Sequence, residues 1–254
     1  MKEQRLKDRV ILVTGAGSGI GRVAALTYAK EGATVILLGR TPQTLENVYD
    51  EIMAMNAPEP AILPLDLKGA RLEDYQLVTT TIEKELGRLD GILHNAGWLG
   101  SLTPLSQYPL QQWFDAMQIN LNAPFLLTQA LLPLLKESPD AAVLFTVDSV
   151  AQEPRAYWGA YGVAKAGLTA LMKIWADELE SNTSVRVNAI NPGPVATHLR
   201  KHAYPFEDAS LLAKPESLMY AYVYWIGPES MGKTGQWVNC QDTSETIPVL
   251  GGSY

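Results

Sequence analysis

The sequence predicts an α/β fold: an open, doubly wound parallel sheet of seven strands with helices on both faces, in a single domain over 1–254. Three observations predict it. Short β-branched apolar runs alternate with longer stretches of helical period, the pattern of βαβ units with right-handed crossovers. Several of the runs are apolar throughout, as strands covered on both faces are. No Pro/Gly/Ser linker, repeat or low-complexity tract divides the 254 residues, a length near the upper limit for one core.

In chain order, strands are expected over 10–14, 34–38, 62–65, 91–94, 143–147, 185–190 and 236–239. Helical periods run over 20–30, 43–55, 72–86, 111–136 and 161–180, and Gly32 is placed to cap the first helix. The two longest helices carry wide apolar faces, with Leu126, Leu127, Ala130, Leu131 and Leu134 on the first. Segment 192–215 has no clean period, and a lid over a binding site is expected around 194–214. In such a sheet, ligands sit beyond the carboxyl ends of the strands.

Composition narrows the function classes. Hydrophobic residues make up 47% and charged residues 19%, which excludes intrinsic disorder. Mean hydropathy is −0.02, and the most apolar stretch, 123–135, is broken by Pro124, Gln129 and Pro133, so no membrane span is expected. The charged first nine residues do not read as a signal peptide, so a cytoplasmic location is expected. The net charge of −7 argues against a nucleic-acid partner. Cys240 is the lone cysteine, permitting no internal disulfide and reading as a small buried hydrophobe. No His/Asp/Glu set has metal-ligand spacing, so no metal is expected.

The chemistry begins at Val10-Ile-Leu-Val-Thr-Gly-Ala-Gly-Ser-Gly-Ile-Gly21, a strand running into a turn with glycines at 15, 17, 19 and 21. Glycines let the backbone approach a pyrophosphate, and the helix N-terminus beyond supplies free N–H groups and a positive dipole end.

Taken with later motifs, this turn resembles the cofactor signature of the short-chain dehydrogenases/reductases. Those motifs are Asp66 after the third strand, His94-Asn95-Ala96-Gly97, Asn120, Tyr161-x-x-x-Lys165 and Pro192-Gly193. They fall in the family's order and cover the whole chain. Val35-Ile-Leu-Leu-Gly-Arg40, Gln129-Ala-Leu-Leu-Pro-Leu-Leu135 and Trp158-Gly-Ala-Tyr161 are similar to the bacterial YciK-like branch. The resemblance implies a Rossmann-type sheet and a nicotinamide cofactor. It places Gly15, Ser18, Gly19, Ile20, Gly21, Leu67, Asn95, Ala96, Gly97, Pro192, Gly193 and Val195 against that cofactor. By the same implication, Asp66 accepts from the adenine amino group and Thr197 touches the nicotinamide carboxamide. The family's pairing of the two long helices implies a homodimer or homotetramer. An NAD site usually ends its second strand in an acid that binds the ribose hydroxyls. Here that end reads Gly39-Arg40-Thr41, and a guanidinium matches a 2′-phosphate, so NADP(H) is expected.

Hydride transfer to a carbonyl needs a proton donor at the developing alkoxide. A tyrosine, with its ordinary pKa near ~10, needs help at neutral pH. Lys165 lies one helical turn from Tyr161 on the same face, where its cation would favour the phenolate. The resemblance makes Tyr161 the acid/base, gives Lys165 the cofactor ribose as well, and makes Asn120 the residue that holds a helix bend and a relay water. The family's serine, thirteen positions before the tyrosine, is replaced: residue 148 is Asp148, and Ser149 follows it. Three outcomes stand open. An ionised Asp148 would raise the Tyr161 pKa and repel a carbonyl oxygen; a protonated one would donate in place of serine; or it would pair with a substrate hydroxyl, amine or cation.

Trp98, Gln152, Tyr157 and Trp158 fall where pocket walls are expected, and His94 reads as a packed histidine. His198, Arg200 and His202 read either as a greeting for an anionic substrate or as a solvated loop. The function read from the whole is an NADP(H)-dependent oxidoreductase acting on a small-molecule carbonyl or alcohol. The rival is a non-catalytic NADP(H)-binding sensor or scaffold.

Overall fold

Seven parallel strands form one sheet in the order β3-β2-β1-β4-β5-β6-β7, with β1 at Val10–Thr14, β2 at Thr34–Gly39, β3 at Ala61–Pro64, β4 at Gly91–His94, β5 at Ala142–Thr146, β6 at Arg186–Asn191 and β7 at Trp237–Asn239. This computed structural model describes residues 4–241; the ends of the domain expected over 1–254 lie outside the described residues. The expected strands all form, β1 and β4 with the expected bounds and the other five with ends shifted by one residue.

Period-2 alternation sends successive strand residues to opposite faces, and here both faces are core. Ile11, Val13, Val35, Leu37 and Leu144 face one layer. That layer holds α1 (Gly19–Lys30), α2 (Pro42–Ala54) and α8 (Met219–Ile226). Leu12, Ile36, Leu38, Val143 and Phe145 face the other, with α3 (Leu72–Leu86), α5 (Ala123–Glu137) and α6 (Gly159–Glu180). Burial on both faces explains why these strands read as unbroken apolar runs. Helix α1 ends at Glu31, and Gly32 follows at φ +91. The Gly32 N–H reaches the Ala29 carbonyl at 3.0 Å and the Ala33 N–H that of Tyr28 at 3.0 Å, a Schellman closure at the expected glycine.

Three expectations need correction. The helix expected over 111–136 is broken: α4 (Leu110–Met117) passes through a wide π turn at Gln118–Asn122 before α5 begins. Segment 192–215 is partly ordered as α7 (His198–Ala203) and a short 3-10 turn at Ala209–Leu211. Helix α8 was not anticipated, because Met-Tyr-Ala-Tyr-Val-Tyr-Trp-Ile has no polar side to set a period and is too short to separate from a strand.

The amino end of the sheet is closed by charge. Arg186, 4% exposed, donates to Asp140 Oδ1 at 2.9 Å and to the Gly227 carbonyl at 3.0 Å. Arg9 meets the other Asp140 oxygen at 2.9 Å. Asp90 accepts from the Val10 N–H at 2.9 Å and the Ser138 hydroxyl at 2.7 Å. Burial pushes the Asp90 carboxyl up, but bonds from Arg88, Val10 and Ser138 outweigh it and hold the group below the usual carboxylate range. Removing one partner of such a pair strands the other charge in the core. Asp140→Ala is expected to lower the unfolding free energy by about 3–5 kcal/mol, read by urea denaturation; a loss near zero would show the network to be dispensable.

Candidate functional site

A cleft of about 540 Å3 opens at the carboxyl end of the sheet, where the chain order reverses between β1 and β4. It gathers Gly15, Ser18, Gly19 and Ile20 after β1, Arg40 after β2, and Asp66 and Leu67 after β3. From the other side come Asn95, Ala96 and Gly97 after β4, Asp148 and Ser149 after β5, Tyr161 and Lys165 on α6, and Pro192, Gly193, Val195 and Thr197 after β6. Gly21 and Asn120 are not among the residues lining the cleft.

The glycine turn is shaped by close approach. Gly15 sits at φ +67, and a Cβ on it would lie 3.0 Å from the Ala96 backbone. A Cβ on Gly21 would lie 2.3 Å from the Gly15 carbonyl, so this residue packs the helix onto the turn. Ser18 is the N-cap of α1 and makes no capping bond with its side chain, so the first amides of the helix are available to an anion. Thr14, 1% exposed, supports the opposite wall: its hydroxyl accepts the N–H groups of Asn95 and Ala96, each at 3.0 Å. Arg40 is exposed at the far end, and among the described residues it forms no ion pair. Asp66 accepts the Lys68 N–H through one oxygen at 3.1 Å. This donor set fits a dinucleotide with an extra phosphate: amides and a guanidinium for the phosphates, and no carboxylate at the end of β2.

At the other end, the Tyr161 hydroxyl donates to Asp148 Oδ2 at 3.1 Å. Asp148 caps a 3-10 turn, Ser149–Ala151, by accepting the Val150 N–H on Oδ1 at 3.0 Å. Ser149 lies within the turn, and its hydroxyl reaches only Asp148 Oδ1, at 3.4 Å. The turn therefore aims Asp148 at the tyrosine. Burial, then the Asp148 charge and hydrogen bond, drive the Tyr161 pKa well above its ordinary value. The rise beside Asp148 is the direction expected of an ionised carboxylate at this position, and burial adds to it. Lys165 Nζ donates to the Thr146 carbonyl at 2.8 Å. Burial pulls its pKa down to about 8, against the partial support of Asp148.

Asn120 is fully buried in the π turn. Its Nδ2 donates to the Trp98 and Ala116 carbonyls, both at 2.8 Å, and its Oδ1 accepts the Trp98 N–H at 3.1 Å. It thus ties the break in the helix to the loop after β4.

Of the expected walls, Trp98 and Trp158 line the cleft, with Trp158 against Tyr161 at 5.8 Å between ring centroids. Tyr157 is corrected: at φ +76 it turns out to 58% exposure and lines a separate hollow with Pro154 and Arg155. Gln152 lines neither space. His94 is packed, stacked on Phe145 at 4.8 Å and bonded to the Thr128 hydroxyl at 2.8 Å, and burial lowers its pKa to about 3. Cys240 is half-buried against the core, and burial pushes its thiol up to about 12. His198 and Arg200 line the cleft and His202 does not. Arg200 grips Glu207 through two 2.6 Å bonds and lies 3.8 Å from the Tyr204 ring centre, so two of its three nitrogens are committed to Glu207. Sequence reading missed the Glu207 clasp, the Thr146 carbonyl and the Thr14 clamp; only Thr14 had a signal, its place in the glycine motif.

The short chain dehydrogenase family model matches residues 9–208. The oxidoreductase YciK of Escherichia coli (strain K12) is 45% identical over 240 residues, 94% of each chain. A short chain dehydrogenase from Pseudomonas syringae superposes with a TM-score of 0.92 at 49% identity, covering 94% of this chain and 97% of that one. One from Shigella flexneri 2a str. 301, solved in complex with NADP, has a TM-score of 0.92 at 45% identity, over 95% of this chain and 100% of that one.

Thr14→Val orphans two amide donors. It is expected to cost about 1–3 kcal/mol of stability and to speed hydrogen exchange at Asn95 and Ala96; unchanged exchange there would show that the hydroxyl does not hold this wall.

Proposed function

The chain belongs to the short chain dehydrogenase family, and on that premise we propose that it is an NADP(H)-dependent oxidoreductase of small-molecule carbonyls or alcohols. The observation that carries the reading is that one cleft joins the glycine turn and Arg40 to Tyr161 and Lys165. NADP in the Shigella flexneri relative supports the cofactor choice.

When bound, the nicotinamide supplies or removes the hydride. The chain's residues do the rest. The turn at Gly15–Gly21 and the first amides of α1 hold the diphosphate, and Arg40 takes the 2′-phosphate. Asp66 and Leu67 border the adenine, and Asn95, Ala96 and Gly97 form the floor. Pro192, Gly193, Val195 and Thr197 back the nicotinamide, while segment 194–214, pinned by the Arg200–Glu207 clasp, serves as a lid. Tyr161 holds the proton to be delivered, on Oη, and its raised pKa keeps that proton in place until the substrate arrives. Lys165 supplies a positive charge beside it, at 5.6 Å from the ring centre, and the cofactor ribose its remaining bonds. Asn120 is a positioning residue, fixing the Trp98 backbone and, through it, the cleft wall. Exposed Leu110 and Phe114 on α4, with Val163 and Ile174 on α6, are the surface through which a homodimer or homotetramer would form.

Titration with NADPH and NADH, followed by a panel of diketones and aldehydes, tests the reading. NADPH bound tightly without turnover of any carbonyl or imine would favour the sensor or scaffold reading instead; failure to bind either cofactor would overturn both. Arg40→Ala is expected to weaken NADPH about 10- to 100-fold and to leave NADH unchanged; equal loss for both would remove Arg40 from the phosphate. Tyr161→Phe should keep NADPH binding and lose at least ~100-fold in rate. Because the Lys165 ammonium is lost as pH rises through about 8, the wild-type reduction rate should fall on that limb. A pH profile flat to 10 would exclude Lys165 from the rate.

A further inference from the structure

We infer that the group reduced in this cleft is a protonated carbon–nitrogen double bond, its N–H paired with Asp148, so that iminium ions and cyclic amines are the substrate class. This rests on the NADP(H)-dependent hydride transfer proposed above and replaces its carbonyl with a carbon–nitrogen double bond.

Hydride addition to a ketone gathers negative charge on oxygen, which needs a donor beside it. Asp148 stands where that donor would be, 3.1 Å from the Tyr161 hydroxyl, and a carboxylate has only lone pairs to offer. Its orientation is fixed by the Val150 N–H, so it does not swing away. Among the described residues no lysine or arginine forms an ion pair with it. Lys165 is bonded to the Thr146 carbonyl, and the nearby Arg200 is clasped by Glu207. Both cations feel the Asp148 charge but neither bonds to it, so among the described residues the carboxylate faces the cleft with no cation in direct contact, and Trp98 and Trp158 line the same space with aromatic rings of the kind that favour one. An iminium satisfies each of these features: its N–H donates to Asp148, its charge is balanced, and its plane stacks. Hydride adds to the iminium carbon, the π pair moves to nitrogen, and a neutral amine leaves with its N–H intact, reduced nicotinamide being oxidised. An unprotonated imine takes its extra proton from Tyr161, which recovers it from solvent.

A bland role for Asp148 is the turn cap alone. Serine and asparagine cap as well as aspartate, so Asp148→Ser and Asp148→Asn keep the turn while removing the charge. The experiment compares 3,4-dihydroisoquinoline with 1-tetralone, bicycles of equal size, as substrates with saturating NADPH. It also measures binding of tetrahydroisoquinolinium against neutral isochroman in the protein loaded with NADP. The wild type should favour the imine by at least about 100-fold in kcat/KM, and Asp148→Asn should shrink that ratio by at least about tenfold. Asp148→Ser should shift preference towards the ketone. Reduction of the imine no faster than the ketone overturns the proposal. So does a preference that Asp148→Asn leaves intact, or tetrahydroisoquinolinium held no tighter than isochroman. Absence of NADPH binding fells the oxidoreductase reading and this one with it, whereas bound NADPH without cation preference fells this one alone.

Discussion

The parallel pairing of β1 with β4 is the contact on which the rest of the structure depends. Val13 registers with Leu37 on one side and Leu93 on the other, so the chain order reverses at β1 and the crossovers leave in opposite directions. The gap this opens is walled by the glycine turn and the loop after β4. One hydroxyl, that of Thr14, stitches the two together. From there Asn120 passes the constraint to the π turn and so to the seam between α4 and α5. The cleft is thus a consequence of topology, and only its lining is a matter of side-chain choice.

Within that lining, charge decides the chemistry. A carboxylate about 4 Å from a growing oxyanion works against it by roughly 4 kcal/mol at an effective dielectric of 20. That is enough to reverse a preference between a carbonyl and a cation. The same group keeps Tyr161 protonated while Lys165, starved of solvent, sits close to losing its own proton. The site thus sets a carboxylate, a phenol and an ammonium against one another within one cleft.

Strand positions and the nucleotide turn were legible in the sequence because they depend on local pattern: apolar runs of the right length, and glycines at the spacing a backbone approach demands. The list of cleft residues was legible through their motifs. What depended on contacts between distant segments was not. The bend at Asn120 was legible only through the resemblance; no helical period records the bonds to Trp98 that accompany the break at Gln118–Asn122. The outward turn of Tyr157 is a backbone choice at φ +76. The proton affinity of Tyr161 follows from burial, which the Tyr-Lys spacing alone does not reveal. Arg200 read as a free cation because its partner lies seven residues on, across a fold of the same segment.

The Arg186–Asp140–Arg9 cluster lies at the amino end of the sheet, with the whole length of the strands between it and the cleft. Anchorage and chemistry are therefore kept apart, and a residue at the mouth of the cleft is exchanged without drawing on what holds the sheet closed. Residue 148 shows the division: Asp148 caps the turn after β5 with one oxygen while the other takes the Tyr161 hydroxyl. A scaffold divided in this way drifts readily from one substrate to another, since a new specificity is reachable by single substitutions that selection can test one at a time.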